Sequence, residues 1–253
     1  MKRIASIALI SCALFVVACG DDDSGGSNTT NTTATGTADS GTALPQGSDP
    51  VELDPADFTT NIDNPYWPMK PGNRWVSRSE DERVVVEVTN DKKTVAGIDA
   101  VVVRDTVTDN DGNLVEKTDD WYAQDSKGNL WYLGEDVRNY RDGKLTDRGG
   151  SWEHGVRGAY AGIAIPADPQ PGTKYRQEYY KGEAEDQGEV VSVSETVKVP
   201  AGTFRDALKT SDTTPLEPDV EEQKYYGKGV GPVKNETVRG GSGAEELVSY
   251  TVK

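Results

Sequence analysis

The chain has 253 residues, of which 43 are acidic and 27 basic, giving a formal charge of −16. A field of that sign repels nucleic acid, and no nucleic-acid partner is expected. With two cysteines and one histidine, the chain cannot build a thiolate or multi-histidine metal centre, and neither a metal nor a cofactor is expected.

The chain opens with Met1-Lys2-Arg3, an apolar stretch over residues 4–17, and then Ala18-Cys19-Gly20. A short charged start followed by an apolar run too short to span a bilayer reads as a secretory signal over residues 1–18. Val16-Val17-Ala18-Cys19 resembles the lipobox of bacterial lipoproteins, in which the cysteine becomes the acylated first residue of the mature chain. The resemblance implies a lipid anchor at Cys19, attachment to a membrane of the bacterial cell envelope, and a domain held outside the cytoplasm. Cys12 lies in the signal, so the folded part keeps no free thiol. Losing Lys2 and Arg3 with the signal takes the formal charge from −16 to −18.

Residues 19–50 comprise the lipidated cysteine and a tether made almost wholly of Gly, Ser, Thr, Asp, Asn and Ala. Such a composition buries no core, and its root-mean-square reach is on the order of 30 Å. Residues 51–253 read as a single β domain. From Trp75 onward, short apolar runs rich in β-branched and aromatic residues alternate with Asp-Gly, Lys-Gly and Pro-Gly turns. The expected strands are 74–78, 83–89, 100–108, 120–124, 130–135, 174–180, 189–199, 207–211, 224–227, 232–239 and 246–252. Between them, residues 149–172 form a linker with little strand character. Its stretch 159–166 is apolar for a loop and must pack somewhere.

The halves look alike: pseudo-repeats cover about 68–148 and 169–252. At one shift Val85, Val86, Val88, Ala96 and Gly97 coincide with Val190, Val191, Val193, Ala201 and Gly202. At slightly shorter shifts Pro71-Gly72 parallels Pro171-Gly172, and Trp121-Tyr122 parallels Tyr225-Tyr226. Two such halves give an all-β antiparallel curved sheet that must curl into a half-barrel or barrel to protect its edges.

Several short segments carry a family resemblance: Asn64-Pro65-Tyr66-Trp67-Pro68, Asp120-Trp121-Tyr122-Ala123-Gln124-Asp125, Gly128-Asn129-Leu130-Trp131-Tyr132, Val199-Pro200-Ala201-Gly202-Thr203-Phe204 and Tyr225-Tyr226-Gly227-Lys228-Gly229-Val230-Gly231. They resemble a group of secreted bacterial β-rich proteins and lipoproteins of unknown function. More distantly, the repeated strand-hairpin layout is similar in architecture to the curved-sheet lipoproteins of the LolA type. The resemblance carries no catalytic residues.

The residues themselves argue against several chemistries. Asp109-Asn110-Asp111-Gly112-Asn113 departs from a calcium loop in the place of its glycine and reads as a hairpin turn. Gly227 to Gly231 lacks dinucleotide-loop spacing, and Pro232 stands where a helix would begin. His154 has no identifiable catalytic partner. Carboxylate pairs such as Asp119 with Asp120 and Glu221 with Glu222 read as solvated surface charge in so acidic a chain. No enzymatic activity is expected, although a carboxylate hydrolase stays open.

The aromatic balance is more suggestive, with five Trp and eleven Tyr against three Phe. Rings with a polar tip suit half-wet binding surfaces as well as strands. The candidate ligand-binding residues are Trp121, Tyr122, Trp131, Tyr132, Tyr179, Tyr180, Tyr225 and Tyr226, with Trp152 and Tyr160 as a lid. The expected function is a membrane-anchored binding module for an amphipathic small molecule, lipid or glycan. The alternative is a structural or adhesion protein that binds calcium or a basic protein partner through acidic loops.

Replacing Cys19 by alanine is expected to move the protein from the membrane to the soluble fraction on cell fractionation. Unchanged membrane retention would overturn the anchor.

Overall fold

The computed structural model describes residues 44–253. The signal, Cys19 and the tether up to residue 43 lie outside the described residues. A 3-10 turn at Pro55–Asp57, capped by the Asp54 side chain, precedes the strands. The strands are Phe58–Thr59 (β1), Arg74–Arg78 (β2), Glu82–Val95 (β3), Ile98–Asp109 (β4), Leu114–Asp125 (β5), Leu130–Arg141 (β6), Lys144–Asp147 (β7) and Trp152–Glu153 (β8). They continue with Tyr160–Ile165 (β9), Lys174–Arg176 (β10), Glu178–Tyr179 (β11), Gln187–Val199 (β12), Gly202–Thr213 (β13), Glu221–Gly227 (β14), Gly231–Arg239 (β15) and Ala244–Thr251 (β16).

These form one antiparallel sheet in the order β10-β12-β13-β14-β15-β16-β2-β3-β4-β5-β6-β9-β11, with β1 on β5 and both β7 and β8 on β6. The all-β class and the curling sheet expected from the sequence are therefore observed. The order follows the chain almost without crossover, so the sheet is an up-and-down meander bent into a nearly closed barrel.

Two junctions make the ring. At one, the last strand meets the first: Tyr250 of β16 pairs with Trp75 of β2, and Thr251 with Arg74. At the other, β10 and β11 stand at opposite ends of the strand order but are separated in sequence by Gln177 alone. Residues 174–176 pair with β12, and residues 178–179 pair with β9. One extended segment thus crosses the seam covalently. Gly162 of β9 sits against this crossing, where an added Cβ would overlap the backbone of Arg176 and Gln177.

The stretch 149–172, expected to be a linker, is part of the wall. Its strands β8 and β9 and the preceding β7 pair in succession with β6, at Glu135↔Trp152, Tyr132↔Gly162 and Arg141↔Lys144. They form one interrupted line along β6. The chain leaves that line twice, and each excursion breaks the period-two apolar pattern from which a strand is read. The apolar run at 159–166 packs as a central strand, with Ala161, Ile163 and Ile165 wholly buried.

The segment Asn64 to Pro68 plugs one end of the barrel. Trp67 enters among Trp75, Tyr122 and Tyr226, with ring centroids 6.4, 5.4 and 6.0 Å away. Gln124 Oε1 accepts from the backbone N–H of Asn64 (2.9 Å), Asn64 Nδ2 donates to Gly128 O (3.0 Å), and Gly229 N donates to Pro65 O (2.7 Å). Gly231, at φ 116°, lies where a Cβ would come within 3.0 Å of the Trp67 and Trp75 rings. Parts of several segments singled out in the sequence thus meet at one place, where they pack against one another.

The two Pro-Gly turns are built alike. Gly72 N donates to Val88 O (2.8 Å) and Val88 N to Asn73 O (2.9 Å), while Gly172 N donates to Val190 O (2.8 Å) and Val190 N to Thr173 O (2.9 Å). At this point Val190, rather than Val193, stands in the place of Val88.

Substituting Gly162 by alanine is expected to destabilise the barrel by about 3 kcal/mol, because backbone on both sides cannot yield to an inserted methyl. Urea denaturation checks this; an unchanged midpoint would mean that the seam is loose.

Candidate functional site

The ten aromatic candidates do not share one face. Side chains alternate along a strand, so adjacent rings point to opposite sides of the sheet. Tyr122, Tyr132, Trp152 and Tyr226 point into the barrel. Tyr122 and Tyr132 are 1% and 0% exposed and stack at 4.9 Å, and Trp152 meets Tyr132 edge-on at 5.3 Å. Their neighbours point the other way. Trp121 lies under the Lys93 ammonium (4.8 Å), and Trp131 packs on Phe58 and donates from Nε1 to Asp125 (2.9 Å). Tyr225 lies beneath Lys209 and Lys234 and donates to Glu236 (2.7 Å). Tyr160 and Tyr179 stack at 6.0 Å beside the seam, and Tyr180 is half-buried in the turn that follows.

The interior is filled, and its middle layer is polar. Asp120 accepts from the Tyr132 hydroxyl (2.7 Å), and Glu178 accepts from Trp152 Nε1 (2.7 Å). Lys224 Nζ lies 2.8 Å from Asp212, whose two oxygens also accept from Thr210 (2.8 Å) and Gln177 (3.0 Å). Burial opposes the charge of Lys224, but Asp212, Tyr226 and Glu222 outweigh it and hold the ammonium protonated. For the acids burial acts the other way. It pushes Asp120 up to about 8, and it raises Glu135 and Glu178 well above the carboxylate range, reinforced in each case by neighbouring acids.

This corrects the reading of the acidic pairs as surface charge. Asp119 faces outward onto Arg104 (2.7 Å) whereas Asp120 is buried, and Glu221 reaches Arg239 (3.3 Å) whereas Glu222 is buried. The period of the strand puts one member of each pair inside.

The turn reading of Asp109 to Asn113 holds, and residues 125–129, of like sequence, form a second loop of the same build. Asp109 Oδ1 accepts from the N–H groups of Asp111 and Asn113, and Asp125 Oδ1 accepts from those of Lys127 and Asn129. These carboxylates bind their own loops. Among the described residues, no group of three or more His, Cys, Asp or Glu side chains is arranged to hold a metal ion. His154 is buried, and its Nδ1 accepts from Ala161 N (3.2 Å); burial, then Arg176, holds it below its ordinary value. Ser151 is turned to the Val137 backbone.

At the barrel end away from the plug lies a cavity of about 170 Å³. Its walls include Ser48, Arg176, Glu178, Tyr179, Glu185 and Gln187. Arg176 is 1% exposed, and its guanidinium donates to carbonyl oxygens: Ala161 (2.8 and 3.2 Å), Gly47 (3.0 Å) and Asp49 (2.6 Å). Burial lowers it to about 10, still charged at neutral pH. Residues 44–49 cross this mouth as a strap, with Pro45 O accepting from Arg176 N (2.7 Å) and Gln46 Nε2 donating to Lys174 O (2.6 Å). Of the ten aromatic candidates, only Tyr179 lines the cavity. The others on its wall were missed because polar residues on short strands and in a strap carry no period to read.

No protein-family model matches the chain, and no curated protein matches it. Among solved structures, a protein from Bacteroides fragilis described as exported and of YmcC-like fold is similar at 17% identity and a TM-score of 0.43, covering 74% of this chain and 98% of its own. A protein from Parabacteroides distasonis described as a lipoprotein is similar at 15% identity and a TM-score of 0.40, with the same coverage. The functional reading therefore rests on this chain's own residues.

Raising the pH from 5 to 9 is expected to lower stability. Asp120, Glu135 and Glu178 have folded values above their unfolded ones, so their contribution is complete below about pH 4 and is lost as the pH climbs through the folded values. Each such group steepens the fall by up to about 1.4 kcal/mol per pH unit. Asp120→Asn, which keeps the acceptor for Tyr132, should flatten the urea midpoint profile near pH 8. An identical profile in the variant would show that Asp120 does not titrate in this range.

Proposed function

We propose that the protein is a lipid-anchored envelope lipoprotein whose barrel is a non-enzymatic binding module, with its ligand held in the cavity at the seam. The signal and lipobox-like start support the address, and the cavity between Arg176 and Tyr179 carries the binding reading. The sequence reading placed an amphipathic molecule against a concave aromatic face. The inward rings, however, pack on one another and on Trp67. The mouth beside the strap offers what the interior does not: a recess with polar and aromatic walls beside solvent. The same reading takes residues 51–253 as one domain made of two copies of a strand-hairpin unit, for which the matching Pro-Gly turns speak.

The full lipidated chain, extracted from its own envelope under non-denaturing conditions, is expected to show by native mass spectrometry an extra mass that denaturation releases. Compared with the stripped protein, amide exchange should be slower in residues 44–49 and 176–187. A bare mass together with unchanged exchange would overturn the binding reading and favour a structural role.

A further inference from the structure

We infer that the seam cavity takes one neutral sugar ring, with its hydroxyls on Glu185 and Gln187 and its apolar face toward Tyr179. This rests on the reading above that the cavity is the binding site. Size argues first. At about 170 Å³ the recess falls below the roughly 300–1,000 Å³ of pockets that enclose drug-sized ligands and is of the size of a single ring.

Charge argues next. Arg176 is positive, but no carboxylate lies within ion-pair distance of it among the described residues, and its fork is already turned onto the carbonyls of Ala161, Gly47 and Asp49. A guanidinium so occupied cannot offer the bidentate grip by which phosphate or carboxylate is held. Glu185 brings a negative charge to the same wall, anchored by Gly182 N (2.7 Å). Arg176 and Glu185 thus bring opposite formal charges to the walls, and burial raises the Glu178 carboxyl well above the usual carboxylate range. A ligand without charge is thus neither drawn in nor rejected by the field, and direct hydrogen bonds decide.

The hydrogen-bonding groups suit a polyol. The Gln187 amide donates and accepts, the Ser48 and Tyr179 hydroxyls do both, and Glu185 accepts. Hydroxyl groups spaced around a ring can satisfy such a mixed set, whereas an all-acceptor anion or an all-donor cation cannot. Tyr179 is fixed by its stack on Tyr160, which also lies under Arg176 (5.7 Å), so its ring is a rigid platform with little rotamer entropy left to lose.

The test uses the full chain and saturation-transfer NMR, with methyl glycosides of glucose, galactose and N-acetylglucosamine set against glucuronate and inorganic phosphate. At least one neutral glycoside is expected to bind with Kd on the order of 1 mM, a single-ring affinity. Tyr179→Ala and the size-conserving Gln187→Leu should each weaken that binding at least tenfold. Tyr250→Ala, exposed on β16, should leave it unchanged. Binding of the anions in place of the glycosides would overturn the neutral-sugar assignment and keep the cavity as the site. Glycoside binding that survives both cavity variants would place the sugar elsewhere and overturn the inference. If no glycoside binds while the envelope-extracted chain still carries a releasable mass, the sugar class fails and the binding reading stands. If neither is seen, both fail.

Discussion

Closure of the sheet is the constraint on which the rest depends. A twisted sheet of this many strands would leave two long edges of unpaired N–H and C=O groups, each open to another chain. Here the C-terminal strand pairs with the first long strand, and residues 174–179 pair on both sides of the remaining gap. The second junction is the narrower one. It is three residues wide on one side and two on the other, and Arg176 reinforces it by carrying its guanidinium from one wall to the backbone of the next. The lack of a side chain at Gly162 lets the strands approach closely enough for that bridge.

Closing the ring creates an interior that must then be filled, and two different solutions meet inside it. Near the plug the filling is aromatic: Trp67, Trp75, Tyr122 and Tyr226 lock against one another. Further in, acids outnumber the one ammonium that is buried among the described residues. Burying a charge without a partner costs several kcal/mol, so an acid that cannot find a cation keeps its proton. Asp212 has Lys224, whereas burial drives Asp120, Glu135 and Glu178 upward, and Asp120 and Glu178 accept from Tyr132 and Trp152. The layer joins the Lys224–Asp212 ion pair to acids that burial drives toward their protonated form.

Much of the wall was legible in the sequence, because period-two runs such as Arg74 to Arg78 and the Val-rich pair β3 and β4 announce themselves. The line β7-β8-β9 was not, since its pairing with β6 survives two departures that erase the local pattern. Of the site, little was legible. The doublets Trp121-Tyr122, Trp131-Tyr132 and Tyr225-Tyr226 drew attention as rings, yet adjacency in a strand sends one ring of each inward to pack and the other outward. Tyr179 was found because it is aromatic. Arg176, Glu178 and Gln187 could not be, because their meeting depends on how the ring closes and on where residues 44–49 lie across it. The same holds for Asp120 and Glu222, whose burial follows from register and not from composition.

A ring joined by its first and last long strands also fixes when the molecule can be finished. Arg74 and Thr251 are register partners, so the sheet stays open at this junction until β16 has folded back onto β2. Contacts between such distant parts of a chain form slowly, since the whole loop between them must be gathered before any are made. Through that interval both edges stay reachable by other chains. A net charge of −16 makes copies of the chain repel one another, which opposes edge-to-edge pairing until the eight-residue closing strand takes its place.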